Sequence, residues 1–140
     1  MTTKIVDFVK KTVNGDALEV KASNSSIVVN FLQIQNQIKI FHWQTFSFAE
    51  HKAFDGIYDS LIDHVDKFLE VYMGKYGRPY SDSGFNFYCT NYGESDVLTI
   101  VSYYIDFLTN TLPTLLSDKD TDLLNIRDEM LGDFNQLKYL

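Results

Sequence analysis

From Ser25 to Thr45 the apolar residues Val28, Phe31, Ile34, Ile38 and Phe41 return every three or four positions, with Gln and Asn filling the intervals. That is the period of a helix with one buried stripe; a strand, whose side chains alternate in twos, cannot put those residues on one face. Three more helices follow, two of them with the same spacing. Ser47 stands three residues before Glu50, the form of a capping box, and opens a second helix that runs to about Tyr76, where Gly74, Gly77 and Pro79 gather. Leu98, Val101, Tyr104, Ile105 and Leu108 share one face of a third helix from about Ser95 to Leu112, ended or kinked by Pro113. Leu123, Ile126, Met130, Phe134 and Leu137 form the seam of a fourth, starting near Asp120. The chain is therefore expected to be all-α.

Residues 77 to 94, GRPYSDSGFNFYCTNYGE, mix turn formers with aromatic side chains and predict a long connection packed down on the bundle. A crossover of that length joins parallel neighbours, so the expected architecture is a ferritin-like four-helix bundle with a long crossover between the second and third helices. Ile5, Phe8, Val9 and Val13 predict a further short amphipathic helix over residues 3 to 13, ended by Asn14-Gly15. The chain divides accordingly into a helical extension, residues 1–22, and one bundle domain, residues 23–140.

Composition narrows the classes of function. The 140 residues are 45% hydrophobic and 22% charged, with only two Pro, which is a globular balance with enough chain for one core. The single cysteine, Cys89, excludes an internal disulfide and points to a reducing compartment. No apolar run approaches the roughly 18 residues of a membrane span, and MTTKIVDFVKK lacks the apolar core of a signal peptide. A soluble, cytoplasmic protein is expected. The net charge of −7 argues against general attraction to DNA or to an anionic membrane and favours a surface that collects cations. Lys4, Lys10 and Lys11 form only a weak basic cluster, read as a solvated helix face.

The chemistry concentrates on the second helix. His51 and Asp55 are one turn apart, as are Asp66 and Glu70, so each pair presents two ligands side by side. Imidazole with carboxylates suits iron. From Asp55 to Asp66 the helix returns to within about 20° of the same direction but climbs about 16 Å, so one ion cannot touch both pairs. If both serve one site, the second pair comes from another copy of the chain, and an antiparallel two-fold crossing gives two equivalent sites per dimer. Ile62, Leu69 and Met73 lie within about 40° of His51, which fits a face covered by that partner. Carboxylates at helical spacing are also simply a solvated face, and the residues alone leave both readings open. Asp59 and Asp63 read as solvent residues or a secondary cation-collecting patch, and His64 as a surface or packing histidine. His42 lies on the largely apolar face of the first helix, and Trp43 reads as a core or interface aromatic.

The segment from His51 to Glu70 resembles the ferroxidase helix of the Dps miniferritins, the DNA-binding proteins from starved cells, whose motif is His-x3-Asp-x10-Asp-x3-Glu. All four positions match, and His42-Trp43 resembles the His-Trp pair that opens the same site in that family. The interval from His42 to His51 is three residues shorter than the usual one, and the 77 to 94 connection is unlike that of Dps. The resemblance implies a dodecameric shell of four-helix subunits in which Fe(II) is oxidised at two-fold sites, by hydrogen peroxide or oxygen, and stored as ferric mineral. His42, His51 and Asp55 of one subunit, with Asp66 and Glu70 of its neighbour, would hold the iron.

A second resemblance spans Ile34-Gln-Asn-Gln-Ile-Lys-Ile-Phe-His-Trp-Gln-Thr45, Met73-Gly-Lys-Tyr-Gly-Arg-Pro79 and Leu124-Asn-Ile-Arg-Asp-Glu-Met130. These look like an uncharacterised family of large algal DNA viruses and tailed phages, which implies a viral source and action in host cytoplasm. Three functions are thus in play: an iron oxidase that sequesters iron and removes peroxide; a non-catalytic four-helix protein that dimerises through the retained helix; and a DNA-protecting shell, which the acidic charge disfavours.

Overall fold

The computed structural model describes the backbone of residues 15–140 and the side chains of residues 25–140; the expected helix over residues 3 to 13 lies outside the described residues. Helix α1 spans Gly15–Gln44, α2 Phe48–Tyr76, α3 Val97–Asp106 and α4 Thr121–Tyr139. The all-α expectation holds. Helix α1 starts ten residues before the expected Ser25, because its first three turns carry no helix-breaking residue after Gly15.

Contacts along the bundle fix the direction of each helix. The end of α2 meets the start of α4, where the Lys75 ammonium pairs with Asp120 at 2.7 Å and with Asp122 at 2.6 Å. The crossover then climbs back along α1: Tyr88 is tied to Gln33, Thr90 to Gln37, and Tyr92 to Gln44. It delivers α3 beside the start of α2, where Val97, Leu98, Ala49 and Ala53 line one groove. Helices α2 and α3 therefore run parallel, and α4 returns antiparallel to both. The expected aromatic packing of the crossover is only partly made: Phe85, Phe87 and Tyr88 are exposed, and hydrogen bonds from α1 glutamines take over the job. Gln37 is 1% exposed, and its side-chain amide receives the Thr90 N–H at 2.7 Å and donates to the Thr90 carbonyl at 2.9 Å. It thereby satisfies both backbone groups of a residue that has no helix or sheet partner.

The capping box is half formed. Ser47 accepts from the Glu50 N–H at 3.2 Å, but the Glu50 carboxylate turns instead to the Thr45 hydroxyl and to the Tyr92 hydroxyl at 2.7 Å. Gly77 ends α2 with φ of 95°, a value that favours glycine, and its N–H closes onto the Met73 carbonyl.

Helix α3 ends sooner and less simply than its spacing predicts. Pro113 has no N–H and its ring crowds the carbonyl four residues back, so the chain widens into a π-turn over Phe107–Thr111 and tightens into a 3₁₀ turn over Leu112–Leu115. The Leu112 N–H reaches back to Phe107, which frees the Leu108 carbonyl, and Arg127 of α4 donates to it at 3.0 Å. The core runs the length of the bundle through Phe31, Phe41, Phe54, Phe68, Leu108 and Phe134, all at most 1% exposed. Phe31 meets Phe68 edge to face at 5.0 Å between ring centres. Among the described residues no helix is long and apolar enough to cross a membrane.

Candidate functional site

The connection between α1 and α2 is only three residues, Thr45 to Ser47, so the last turn of α1 lies directly beside the first turn of α2. That juxtaposition brings His42 and His51 together despite the shortened interval. Their rings stack 3.8 Å apart at 22°. The His42 Nδ1–H donates to the His51 carbonyl at 2.8 Å, and the His51 Nδ1–H donates to the His42 carbonyl at 2.9 Å. A carbonyl only accepts, so both Nδ1 atoms carry a proton, and in a neutral ring Nε2 is then the lone-pair nitrogen. This backbone bond to the far ring nitrogen is the support that a metal-ligating histidine characteristically has.

His42 is 8% exposed, and its Nε2 faces Asp55 Oδ1 at 3.9 Å. The gap is too long for a hydrogen bond, but an ion with ligand bonds of about 2 Å spans it. Asp55 and His51 are exposed on the outer face of α2. Asp66 and Glu70 lie on that same exposed face, three turns on. Among the described residues no group of three or more His, Cys, Asp or Glu side chains converges at metal-binding distance. Within one chain the pairs His51/Asp55 and Asp66/Glu70 are thus separated by a rise of about 16 Å over the eleven residues from Asp55 to Asp66.

The rest of the face is mixed. Ile62 is 36% exposed, and Leu69 and Met73 are half-buried. Trp43 is not a core residue: it is 68% exposed, with the Lys39 ammonium 5.5 Å from its ring centre. The same ammonium lies 4.5 Å over Tyr58 of α2, so Lys39, Trp43 and Tyr58 form one flank of the face. Phe46 and Phe48, on the α1–α2 turn, are 102% and 73% exposed.

Two other polar clusters are structural. His64 points away from the ligand face and into the α2–α4 seam, where its Nδ1 and the Asp133 carboxylate share the Ser60 hydroxyl. Ser60 gives its one proton to Asp133, so the His64 Nδ1–H donates to the serine oxygen. Asp120 is 2% exposed and accepts from Lys75, the Tyr76 hydroxyl and the Ser117 N–H. Burial works to raise its pKa, but those bonds outweigh it and hold the carboxyl below its ordinary 3.8. Burial, with Tyr76 and Asp120 nearby, pushes the Tyr72 phenol up to about 12. The cross-helix partners in these clusters, Ser60 with Asp133 and Tyr76 with Asp120, were not legible as pairs in the sequence, because they stand 73 and 44 positions apart. A groove of about 1090 Å³ opens between the start of α2, the start of α3 and the end of α4, lined by Phe54, Val97, Val101 and Leu137. Of the charged side chains that line it, Glu50 is held by Thr45 and Tyr92.

Comparison with known proteins places this geometry in an uncharacterised setting. Over 99 residues the chain is 32% identical to the "Uncharacterized 14.6 kDa protein in mobD-ri intergenic region" of Enterobacteria phage T4, covering 71% of this chain and 72% of that protein. The expected kinship with phage proteins is therefore present. No solved structure matches. The family model that matches, over residues 42–140, begins at the first histidine of the pair and takes in all of α2, α3 and α4: the chain belongs to DUF5856, a family of unknown function.

Proposed function

We propose that the protein oxidises and sequesters Fe(II) at a ferritin-like, Dps-related site shared between two copies of the chain. The observation that carries this reading is the locked histidine pair: two imidazoles oriented by reciprocal backbone bonds, with His42 Nε2 3.9 Å from Asp55. Such a pre-set pair is worth little to packing alone, since one ring is exposed, and much to a ligand. Asp66 and Glu70 of a second copy, brought over by an antiparallel two-fold crossing of α2, supply the anionic oxygens that stabilise Fe(III) as it forms. Iron is the substrate. One hydrogen peroxide takes one electron from each of two Fe(II) ions, its O–O bond breaks, and two protons are taken up to give two waters; oxygen is the alternative oxidant. His42, His51, Asp55, Asp66 and Glu70 are the proposed ligands. The phage relative fits a protein acting in host cytoplasm, where it would limit free iron and peroxide.

A second reading rests on the aromatic side chains at the α1–α2 turn. Trp43, Phe46 and Phe48 are exposed together, the mark of a protein-binding surface, and favour a non-catalytic dimerising interaction protein of viral origin. Ferric absorbance after addition of Fe(II) and then peroxide to the metal-free protein separates the two. Wild type is expected to oxidise iron at least about tenfold faster than His51→Ala or Asp66→Ala. Equal rates for all three proteins remove the ferroxidase reading.

A further inference from the structure

The face that bears the ligands is divided lengthwise. Taking the direction midway between Asp55 and Asp66 as its centre, Asp59, Asp63 and Glu70 fall within about 70° on one flank, and Tyr58, Ile62 and Leu69 within about 70° on the other. The carboxylate side chains of Asp55, Asp59, Asp63, Asp66 and Glu70 are all exposed. The charges that oppose them are few. Lys52 stands on the acidic flank, where its ammonium lies 5.5 Å from the Phe48 ring, and Lys39 of α1 covers the apolar flank.

A two-fold axis perpendicular to α2 maps each flank onto itself in the partner. Apolar flank then meets apolar flank, with Trp43 and Tyr58 at its edge, but acidic flank meets acidic flank. Five carboxylates from each copy come together, and the lysines offset only part of that charge. Like charges in register across an interface oppose association unless something binds between them. The second observation is His42: its side chain is 10% exposed, and its Nε2, which accepts no hydrogen bond from any described residue, looks towards the acidic face at Asp55. An unused nitrogen lone pair beside clustered carboxylates is a cation ligand in waiting.

We propose that a second copy of the chain docks on this face only when divalent iron is bound, so that metal loading and dimerisation are one linked event. This rests on the shared-site reading above and adds to it a control: metal-free chains stay apart, and Fe(II) both completes its site and assembles it. By linkage, whatever factor iron adds to the dimer constant, dimerisation adds to iron affinity.

Sedimentation velocity on chelator-treated protein tests this under anaerobic conditions. Without metal the expected species is the 16.2 kDa chain, and with Fe(II) a dimer of about 32 kDa, twice that mass, with a dimerisation constant raised about 100-fold. Magnesium, or sodium chloride at matched ionic strength, is expected to leave the monomer. Asp66→Asn should still bind Fe(II) at the histidine half but remain monomeric, whereas the double variant Asp59→Asn/Asp63→Asn should dimerise without metal. A wild-type dimer at full strength in chelator, or one produced equally by salt, overturns the gating while leaving the ferroxidase reading intact. Iron-driven dimers that oxidise no Fe(II) retain the gating and remove that reading instead.

Discussion

Gln37→Leu isolates what holds the crossover, and with it the parallel placement of α3. Leucine keeps nearly the same volume, so the cavity term that accompanies truncation is small. What is lost is the pair of bonds to Thr90, at 2.7 and 2.9 Å, from a side chain only 1% exposed. If the Thr90 N–H and carbonyl stayed buried, each would cost about 1–3 kcal/mol. Thr90 is half-buried, however, and one of the two groups can turn to water. The expected loss is therefore about 1–3 kcal/mol in urea unfolding, with an unchanged slope against denaturant because the same surface is exposed. Amide exchange adds a local readout: the Thr90 N–H should lose protection in the variant while α2 amides such as that of Leu61 fall only by the global amount. A loss under about 0.5 kcal/mol with Thr90 protection unchanged would refute the reasoning.

Three further outcomes follow from the fold. Asp120→Ala strips the acceptor from Tyr76, Ser117 and Lys75 and should cost about 2–3 kcal/mol in thermal or urea unfolding. The Asp120 carboxyl is held below 3.8 in the fold, so the unfolded chain binds the proton first; stability from this group is complete above about pH 4 and is lost as pH falls through the lower folded value. An acid titration of Asp120→Ala should show a shallower decline there than wild type. Arg127→Met leaves the Leu108 carbonyl without its donor and should cost about 1–2 kcal/mol, with the loss of amide protection centred on the π-turn. Ser47→Ala removes the side-chain acceptor at the start of α2 and should cost about 1 kcal/mol, read by thermal unfolding.

The fold was legible where burial enforces a period. Phe31, Ile34, Ile38 and Phe41 of α1 and Leu123, Ile126, Met130, Phe134 and Leu137 of α4 face the core as their spacing predicts, and Ser47 and Gly77 bound α2 where the capping box and the glycine place its ends. It was less legible where polar side chains do the structural work. Gln33, Gln37 and Gln44 read as the solvent side of an amphipathic helix, yet they hold the crossover, because an amide that mimics a peptide group leaves no periodic trace. The unwinding of α3 was visible only as Pro113, and its relief by Arg127 not at all, since nothing local ties residue 127 to residue 108. The candidate site divides in the same way. The spacing His51-Asp55 and Asp66-Glu70 is a local property and could be read directly. That His42 reaches His51 depends on the tightness of a three-residue turn, and the reciprocal carbonyl bonds depend on where two helix ends meet.

The central claim is that one iron site takes ligands from two chains, and complementation between two inactive variants tests it most directly. His51→Ala breaks the histidine half and Asp66→Ala the carboxylate half. In a mixed dimer one site inherits both defects and the other inherits neither. An equimolar mixture, allowed to exchange subunits with mixing confirmed by mass, should therefore recover about a quarter of the wild-type Fe(II) oxidation rate, while each variant alone shows almost none. A mixture that exchanges subunits yet remains as inactive as its parents contradicts a shared site.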